Sequence, residues 1–367
     1  MRVAVMSSLA ALDANARELW MREEPRLQFD QTLGWTELLA QHASEPGEEI
    51  RFVSASEGNG RCLGLLPLKV AARSGPLSPR YARALANYYS SLYAPIVSAD
   101  ATDRPAVLEA LLQGVGQLAP AIDVLDLNPL PTTGDAASTA SADAAAVANS
   151  LQGNGWSTET YFRFGNWFLE VGGRSYDTYF GGLSSQLRNT IKRKEKKLRA
   201  MPGVQIDVAQ APDDAQRALA YYERIYAASW KNPEPHPRFV PSLVRYLAER
   251  GWLRMGCVSL ENEPVAAQIW VVKDATASIF KLAYDERFAQ VSAGSVLTAH
   301  LMRHVLDVDR VRIVDYLTGD DSYKRDWMSH RRERVGIRAH RRGSWRGQLA
   351  RLADRSRAVL RPLLRRK

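Results

Sequence analysis

WLRMGCVSLENEPVAAQIWVVKDATASIFKLAY, residues 252–284, holds three apolar runs parted by two short polar stretches. The runs cover 252–260, 264–272 and 277–284, and their β-branched and aromatic content favours strands. The connections ENEP and KDAT are too short for a helical crossover, so the three strands form antiparallel hairpins. On the N-terminal side, 203–210 reads as a strand, while 213–230 and 238–250 carry apolar residues at helical spacing. On the C-terminal side, DERFAQVSAG (285–294) is a loop that opens a helix at Ser295, and VRIVDYL (311–317) is a strand. The order is strand, two helices, three antiparallel strands, loop, helix, strand.

The first half repeats this order in worn form. A helix, QTLGWTELLAQHA, precedes the strand IRFVSA, a turn at SEGNG and the strand CLGLLPLKVA. A helix near 103–119 then leads to the strand IDVLDLNPL. Arg51 falls opposite Arg254 in the two copies, and Asp126 opposite Asp315. Such self-similarity points to two units in tandem. Residues 132–155 begin with a small, Ala- and Ser-rich stretch that suits a linker and a plain helix. The expected organisation is therefore 1–131, a linker and helix at 132–155, 156–340, and a tail at 341–367. The expected fold class is α/β (α+β), with two mixed, mostly antiparallel sheets flanked by helices.

Hydrophobic residues make up 46% of the 367 and charged ones 24%, enough apolar material for two real cores. No run approaches the roughly 18 apolar residues of a membrane span. The first twenty residues lack a basic start with a long apolar run and carry Asp13 and Glu18, so no secretory signal is read. Cys62 and Cys257 stand in apolar strands and are expected to be buried thiols, in keeping with a reducing cytoplasm. His300 and His304 lie four apart on one helix face without a third ligand in view, and no metal is expected. The net charge of +9 is concentrated: residues 338–367 hold ten Arg and Lys367 against Asp354, leaving −1 for the rest. From Trp345 to Leu360, the apolar residues Trp345, Leu349, Leu352, Val359 and Leu360 fall near one helical stripe, among Arg346, Arg351, Arg355, Arg357 and Arg361. Pro362 should end or kink that helix. A basic amphipathic helix of this kind suits peripheral contact with an anionic membrane.

The order of elements is that of the GNAT acyltransferase fold. LSSQLRNTIKRKEKKL (183–198), PVAAQIWV (264–271), AYDERFAQVSAGSVL (283–297) and DYLTGDDSYKRDW (315–327) resemble the CelD/BcsL-type branch, which is related to the FemAB-like tandem-GNAT transferases. In the first half, LGLLPLKV (63–70) and LANYYSSLYAP (85–95) resemble the same branch. The likeness spans roughly residues 25–340 and is most specific in GDDSYKRDW. It implies a degenerate GNAT-like first domain and an acyltransferase second domain. It also implies a donor strand at 277–284, a phosphate loop at 287–295 and a facing strand at 311–316. In such a fold the pantetheine arm of an acyl thioester enters between the two diverging strands, and the next helix's N-terminus meets the pyrophosphate.

The resemblance assigns Gln290, Ser292, Gly294 and Ser295 to the donor's phosphates. The loop departs from the usual Gln/Arg-x-x-Gly-x-Gly/Ala: Ala293 and Ser295 take the positions of closest backbone approach and Gly294 is displaced by one. Coenzyme A, acyl carrier protein and aminoacyl-tRNA all remain open as donors. Lys324, after the turn TGDD, would neutralise a phosphate or the developing oxyanion. Asp315 and Asp320 would orient the acceptor and take its proton. A buried Asp315 needs a partner, for which Lys281 and Arg325 are candidates. Tyr284 would protonate the leaving thiolate. Trp230 and His236, on the Pro-rich loop WKNPEPHPRF, with Gln268 and Tyr323, would shape the acceptor site. Arg188 and Lys192 belong to a like-charged helical row that would meet phosphate, and Tyr88 and Tyr89 would form an acceptor pocket in the first half.

The main expectation is a cytoplasmic acyltransferase, possessing no covalently bound cofactor and using acyl-CoA or acyl carrier protein as co-substrate. Its acceptor would be an amine or hydroxyl of a small molecule, sugar or lipid, such as a cell-envelope or exopolysaccharide intermediate. Two alternatives stand beside it. One is FemAB-like aminoacyl transfer from tRNA, against which no long heptad segment interrupts the GNAT elements. The other is a non-catalytic assembly protein that kept the fold and lost the donor site, a reading the intact GDDSYKRDW argues against.

Overall fold

In the computed structural model, residues 1–134 and 142–364 are described, with side chains as far as Arg357. The segment 135–141 of the expected linker, the side chains of Val359, Leu360, Arg361 and Pro362, and residues 365–367 lie outside that description. The chain divides into two compact units, Met1–Phe164 with Glu333–Lys367, and Gly165–Arg332.

The first unit contains strands β1 (Arg2–Met6), β2 (Glu48–Ser56), β3 (Cys62–Ala71), β4 (Tyr81–Ala84), β5 (Ile96–Val97) and β6 (Val124–Pro131). Helices α1 (Ala14–Glu23) and α2 (Leu33–His42) lie between β1 and β2, and α3 (Arg104–Gly114) lies between β5 and β6. Asp13, Thr32 and Asp103 cap these three helices by accepting first-turn N–H groups. Strands β1 to β4 pair antiparallel in sequence order, and β6 pairs parallel with β4. Helix α4 (Ala144–Gly153), in the stretch read as linker and helix, puts Val147 and Leu151 into the core beside Leu111 and Leu127.

Strand β7 (Trp156–Glu170) leads into the second unit, whose elements are α5 (Tyr176–Gly182), α6 (Ser185–Arg199), β8 (Val204–Ala209), α7 (Pro212–Ala227), α8 (Phe239–Glu249), β9 (Leu253–Leu260), β10 (Glu263–Lys273), β11 (Thr276–Tyr284), α9 (Ala293–Arg303), β12 (Ile313–Asp315) and α10 (Ser322–Trp327). Strands β8 to β11 are antiparallel in sequence order, and β12 is parallel to β11. This matches the expected order strand for strand. The two hairpin turns place Glu261 and Asn262, then Asp274 and Ala275, at positive φ, the geometry whose twist suits two-residue hairpins. Helix α9 packs across the sheet at Gly256, where an added Cβ would lie 2.8 Å from Leu297 and Leu301.

The repeat seen in the sequence is therefore a repeat of topology. In each unit an edge strand, two helices, three antiparallel strands, a helix and a parallel strand follow in that order. Each parallel strand then gains an antiparallel neighbour: residues 168–170 of β7 on β12, and β13 (His330–Arg341) on β6. Asp126 and Asp315, matched in the sequence, are also matched in role. Asp126 binds Arg338 at 2.8 Å, and Asp315 pairs with Arg332. Both cysteines are free and buried, and burial pushes their thiols up to about 11 for Cys62 and about 12 for Cys257. Helix α11 (Trp345–Leu364) completes the chain and runs past Pro362. Among the described residues, no helix is long and apolar enough to cross a membrane.

Candidate active site

The second unit holds a cavity of about 700 Å³ on the side of β11 that faces β12. Its origin lies in a strand pair that parts early. β11 and β12 are in register for only three residue pairs, ending at Ser278 and Asp315. Asp315 then accepts the N–H of Leu317 at 2.6 Å, and Leu317 takes φ +54°, which turns the chain away from β11. Asn166 locks this turn by donating to Asp315 at 2.6 Å and to the Leu317 carbonyl at 2.7 Å. The freed length of β11, Ile279 to Tyr284, forms one wall of the cavity.

A second wall is the start of α9. Ser292 sits at φ +54° ahead of the helix, so α9 begins at Ala293 and not at Ser295 as expected. Gly294 thus belongs to the first helical turn, ahead of Ser295 and Val296, whose N–H groups donate to the Ser292 carbonyl at 3.1 and 3.2 Å. Ser292, Ala293, Gly294 and Ser295 all line the cavity. Gln268 holds this turn in place from β10: its amide donates to the Gly294 carbonyl at 2.9 Å and to Thr298 at 2.8 Å. The helix dipole makes this wall electropositive. Basic helix α6 adds to that field from alongside, where Lys194 donates to the Gln290 carbonyl at 3.0 Å.

Three lysines also line the cavity. Lys324, on α10, is 5% exposed and donates to the Thr318 carbonyl, with Asp321 at 3.2 Å. Lys281 pairs with Glu234 at 2.7 Å. Lys231, after α7, donates to the Leu282 carbonyl at 2.5 Å, inside the gap between the parting strands. Burial lowers the pKa of all three, because the charged form loses hydration. For Lys231 the fall reaches about 8, assisted by the nearby Lys281 charge and opposed by Glu234. Trp230 and Tyr284 pack with ring centres 4.5 Å apart and planes tilted by 43° at the cavity's edge. Tyr323 packs edge-on to Tyr316, and burial pushes its phenol up to about 12.

Of the residues singled out in the sequence, Lys324, Tyr284, Ser292, Gly294, Ser295, Trp230, Gln268 and Tyr323 come together around this cavity. The others do not. Asp315 is buried, but its partners are Arg332, Asn166 and the Leu317 amide in place of Lys281 or Arg325. Its lone pairs are committed, so it positions the strand end instead of accepting a proton. Asp320 is bound by Arg331 and by the Trp167 indole at 2.8 Å, which holds its carboxyl below the usual range. Gln290 offers only its carbonyl, to Lys194. Arg188 closes the α5–α6 turn on the Gly181 carbonyl, and Lys192 lies over Phe180. His236 accepts the Phe239 N–H through its carbonyl and lines neither this cavity nor its neighbour. Tyr88 and Tyr89 are in the first unit, stacked on each other.

Sequence reasoning passed over Lys231. A single lysine in a Pro-rich loop reads as solvated, and the loop's Trp230 and His236 were singled out in its place. Lys231 also lines a second, more apolar cavity of about 400 Å³ with Tyr222, Tyr226, Pro233 and Val240.

Residues 185–325 match the acetyltransferase (GNAT) domain family. The match falls within the second unit and takes in the splayed strands, the α9 turn and Lys324. Among solved structures, FemX is similar over 92% of this chain and 97% of its own, with 10% identity and a TM-score of 0.60. A tandem GNAT protein from the clavulanic acid biosynthesis pathway is similar over 92% and 98%, with 11% identity and a TM-score of 0.51. The C-terminal domain of a putative lysylphosphatidylglycerol synthetase from Agrobacterium fabrum is similar over 94% and 97%, with 10% identity and a TM-score of 0.54. At such identities the likeness concerns the fold, and it extends across both units. No curated protein matches the chain by sequence.

Proposed function

We propose that the second, GNAT unit transfers an acyl group from a thioester, carried by coenzyme A or acyl carrier protein, to an amine or hydroxyl acceptor. The parting of β11 from β12 beside the α9 turn is the observation that carries this reading. An extended pantetheine arm enters along the freed edge of β11, Ile279–Tyr284, and pairs with its backbone groups other than the Leu282 carbonyl that Lys231 holds. The α9 turn, with Ser292 and Ser295, receives the phosphates. Lys231, which lines both cavities, takes the acceptor's proton in this reading, and its pKa of about 8 leaves a share of neutral amine near pH 7. The acceptor enters through the second cavity, which also reaches Lys231.

In the reaction, the acceptor nitrogen or oxygen attacks the thioester carbonyl and its proton passes to Lys231. The Lys324 ammonium stabilises the oxyanion. The C–S bond then breaks, and Tyr284 supplies the proton that leaves with the thiol. The resemblance of 183–198 and 315–327 to the CelD/BcsL branch favours a sugar or lipid intermediate of the cell envelope or of an exopolysaccharide as acceptor, and a cytoplasmic site of action. Mass spectrometry of the natively purified protein tests the donor: a bound acyl-CoA or acyl-phosphopantetheine protein is expected.

A second reading is aminoacyl transfer from tRNA. It is favoured by the likeness to FemX and to the putative lysylphosphatidylglycerol synthetase domain, and by the exposed basic row of α6, where Lys192, Arg193, Lys196 and Lys197 face solvent. Recovery of tRNA in place of a thioester in the same experiment would select it.

A further inference from the structure

Helix α11 is packed in an unusual sense. A helix on a protein surface normally turns its apolar stripe inward. Here the inward side is polar. Gly347 lies against the backbone, where an added Cβ would come within 2.9 Å of the Asp123 and Arg341 carbonyls. Gln348 donates to the Arg341 carbonyl at 3.1 Å, and Arg346 to the Pro76 carbonyl at 2.9 Å. Asp354 faces Arg338 at 3.3 Å and the fully buried His340 at 3.2 Å. These contacts fix the helix's rotation, and the apolar residues are left outside: Trp345 is 51% exposed, Leu349 53% and Leu352 61%. Their spacing of four and three residues puts them on one face. Leu77, beside the Pro76 that Arg346 holds, is 72% exposed.

Arginines flank this face in excess. Arg355 and Arg357 are exposed, 3.2 Å from Glu159 and 3.7 Å from Asp354, Arg346 lies over the Trp345 ring at 4.3 Å, and residues 345–364 hold five arginines against Asp354. We infer that the outer face of α11 is a docking surface for an anionic lipid bilayer, with Trp345, Leu349 and Leu352 entering the headgroup boundary and the arginines meeting lipid phosphates. Charge complementarity selects this occupant. A second copy of the face would bring arginine rows together, and a nucleic acid would leave Leu349 and Leu352 without apolar partners. The inference stands independently of the transfer reaction.

The test uses the full chain and sedimentation with vesicles of phosphatidylcholine alone or mixed with phosphatidylglycerol. The protein should pellet with the mixed vesicles only. Leu349→Glu/Leu352→Glu should weaken that binding at least about tenfold, through lost apolar burial and added negative charge. Both positions are exposed, so the variant should keep its thermal midpoint. As a second readout, vesicles should blue-shift the fluorescence, and Trp345→Phe should remove most of that shift. Wild-type protein that ignores the mixed vesicles overturns the inference, as does unchanged binding by the double variant. A dimer that the double variant dissociates, with no vesicle binding, overturns it in favour of self-association. An RNA gel shift lost in that variant, again without vesicle binding, overturns it in favour of nucleic acid.

Discussion

Lys231→Met is the most informative single change, because the cavity holds that ammonium at a cost that can be measured without knowing the acceptor. The side chain keeps its apolar stem and loses its charge. A lysine with its folded pKa at about 8, against 10.5 for the free side chain, binds fewer protons folded than unfolded between those values. Stability therefore rises with pH across that window, and below pH 8 the full penalty is present. Integrated from pH 7 to pH 10, the shift contributes about 2.5 kcal/mol at most, and about 2 kcal/mol after allowing for partial solvent access. Loss of the hydrogen bond to the Leu282 carbonyl lowers the variant's stability by a similar amount at every pH, so the difference of differences isolates the charge. Urea unfolding of both proteins at pH 7 and pH 10 reads it directly. The wild type should gain about 2 kcal/mol more than the variant over that interval. Parallel curves would show that Lys231 is an ordinary hydrated lysine, and the assignment of a proton acceptor there would fall with it.

Three further substitutions in the second unit have defined outcomes. Lys324→Met should lower turnover about a hundredfold with little change in donor affinity, as expected for an electrostatic stabiliser of the transition state; normal turnover would leave Lys324 a support of the 318–321 loop. Gly294→Asp puts a carboxylate into the first turn of α9, where its Cβ lies 3.7 Å from Tyr284. Acyl-CoA should raise the thermal midpoint of the wild type but not of this variant, and an undiminished rise would place the donor elsewhere. Asp315→Ala leaves Arg332 buried without its carboxylate and should cost about 3–5 kcal/mol in urea unfolding; a loss below about 1 kcal/mol, the range of a surface pair, would contradict the role given to that pair.

Most of the second unit was legible because its strands are short apolar runs and its turns are two residues long. What the sequence hid has physical causes. β13, HRRERVGIRAHR, is so rich in arginine that it reads as a solvated segment, although Val335, Ile337 and Ala339 alternate into the first unit's core. The start of α9 depends on Ser292 adopting positive φ, which no periodicity announces. Asp315 was seen as needing a partner, but the cation is Arg332, seventeen positions further along at the start of an arginine-rich strand, in place of Lys281 on β11 or the nearby Arg325. Lys231 owes its low pKa first to burial in the folded unit and then to the Lys281 charge on β11, so nothing in WKNPEP marks it. The outward stripe of α11 was readable as a stripe, whereas its direction was not, since that is fixed by Gly347 and Asp354.

The central claim is that an acyl thioester lies between β11 and β12 of the second unit. Hydrogen exchange of the whole protein, with and without acyl-CoA or an acylated carrier protein, tests it most directly. The account predicts protection concentrated in two places, the freed part of β11 at 279–284 and the first turn of α9 at 293–296. Exchange unchanged there at saturating concentrations of both donors, or protected only within residues 1–164, would contradict it.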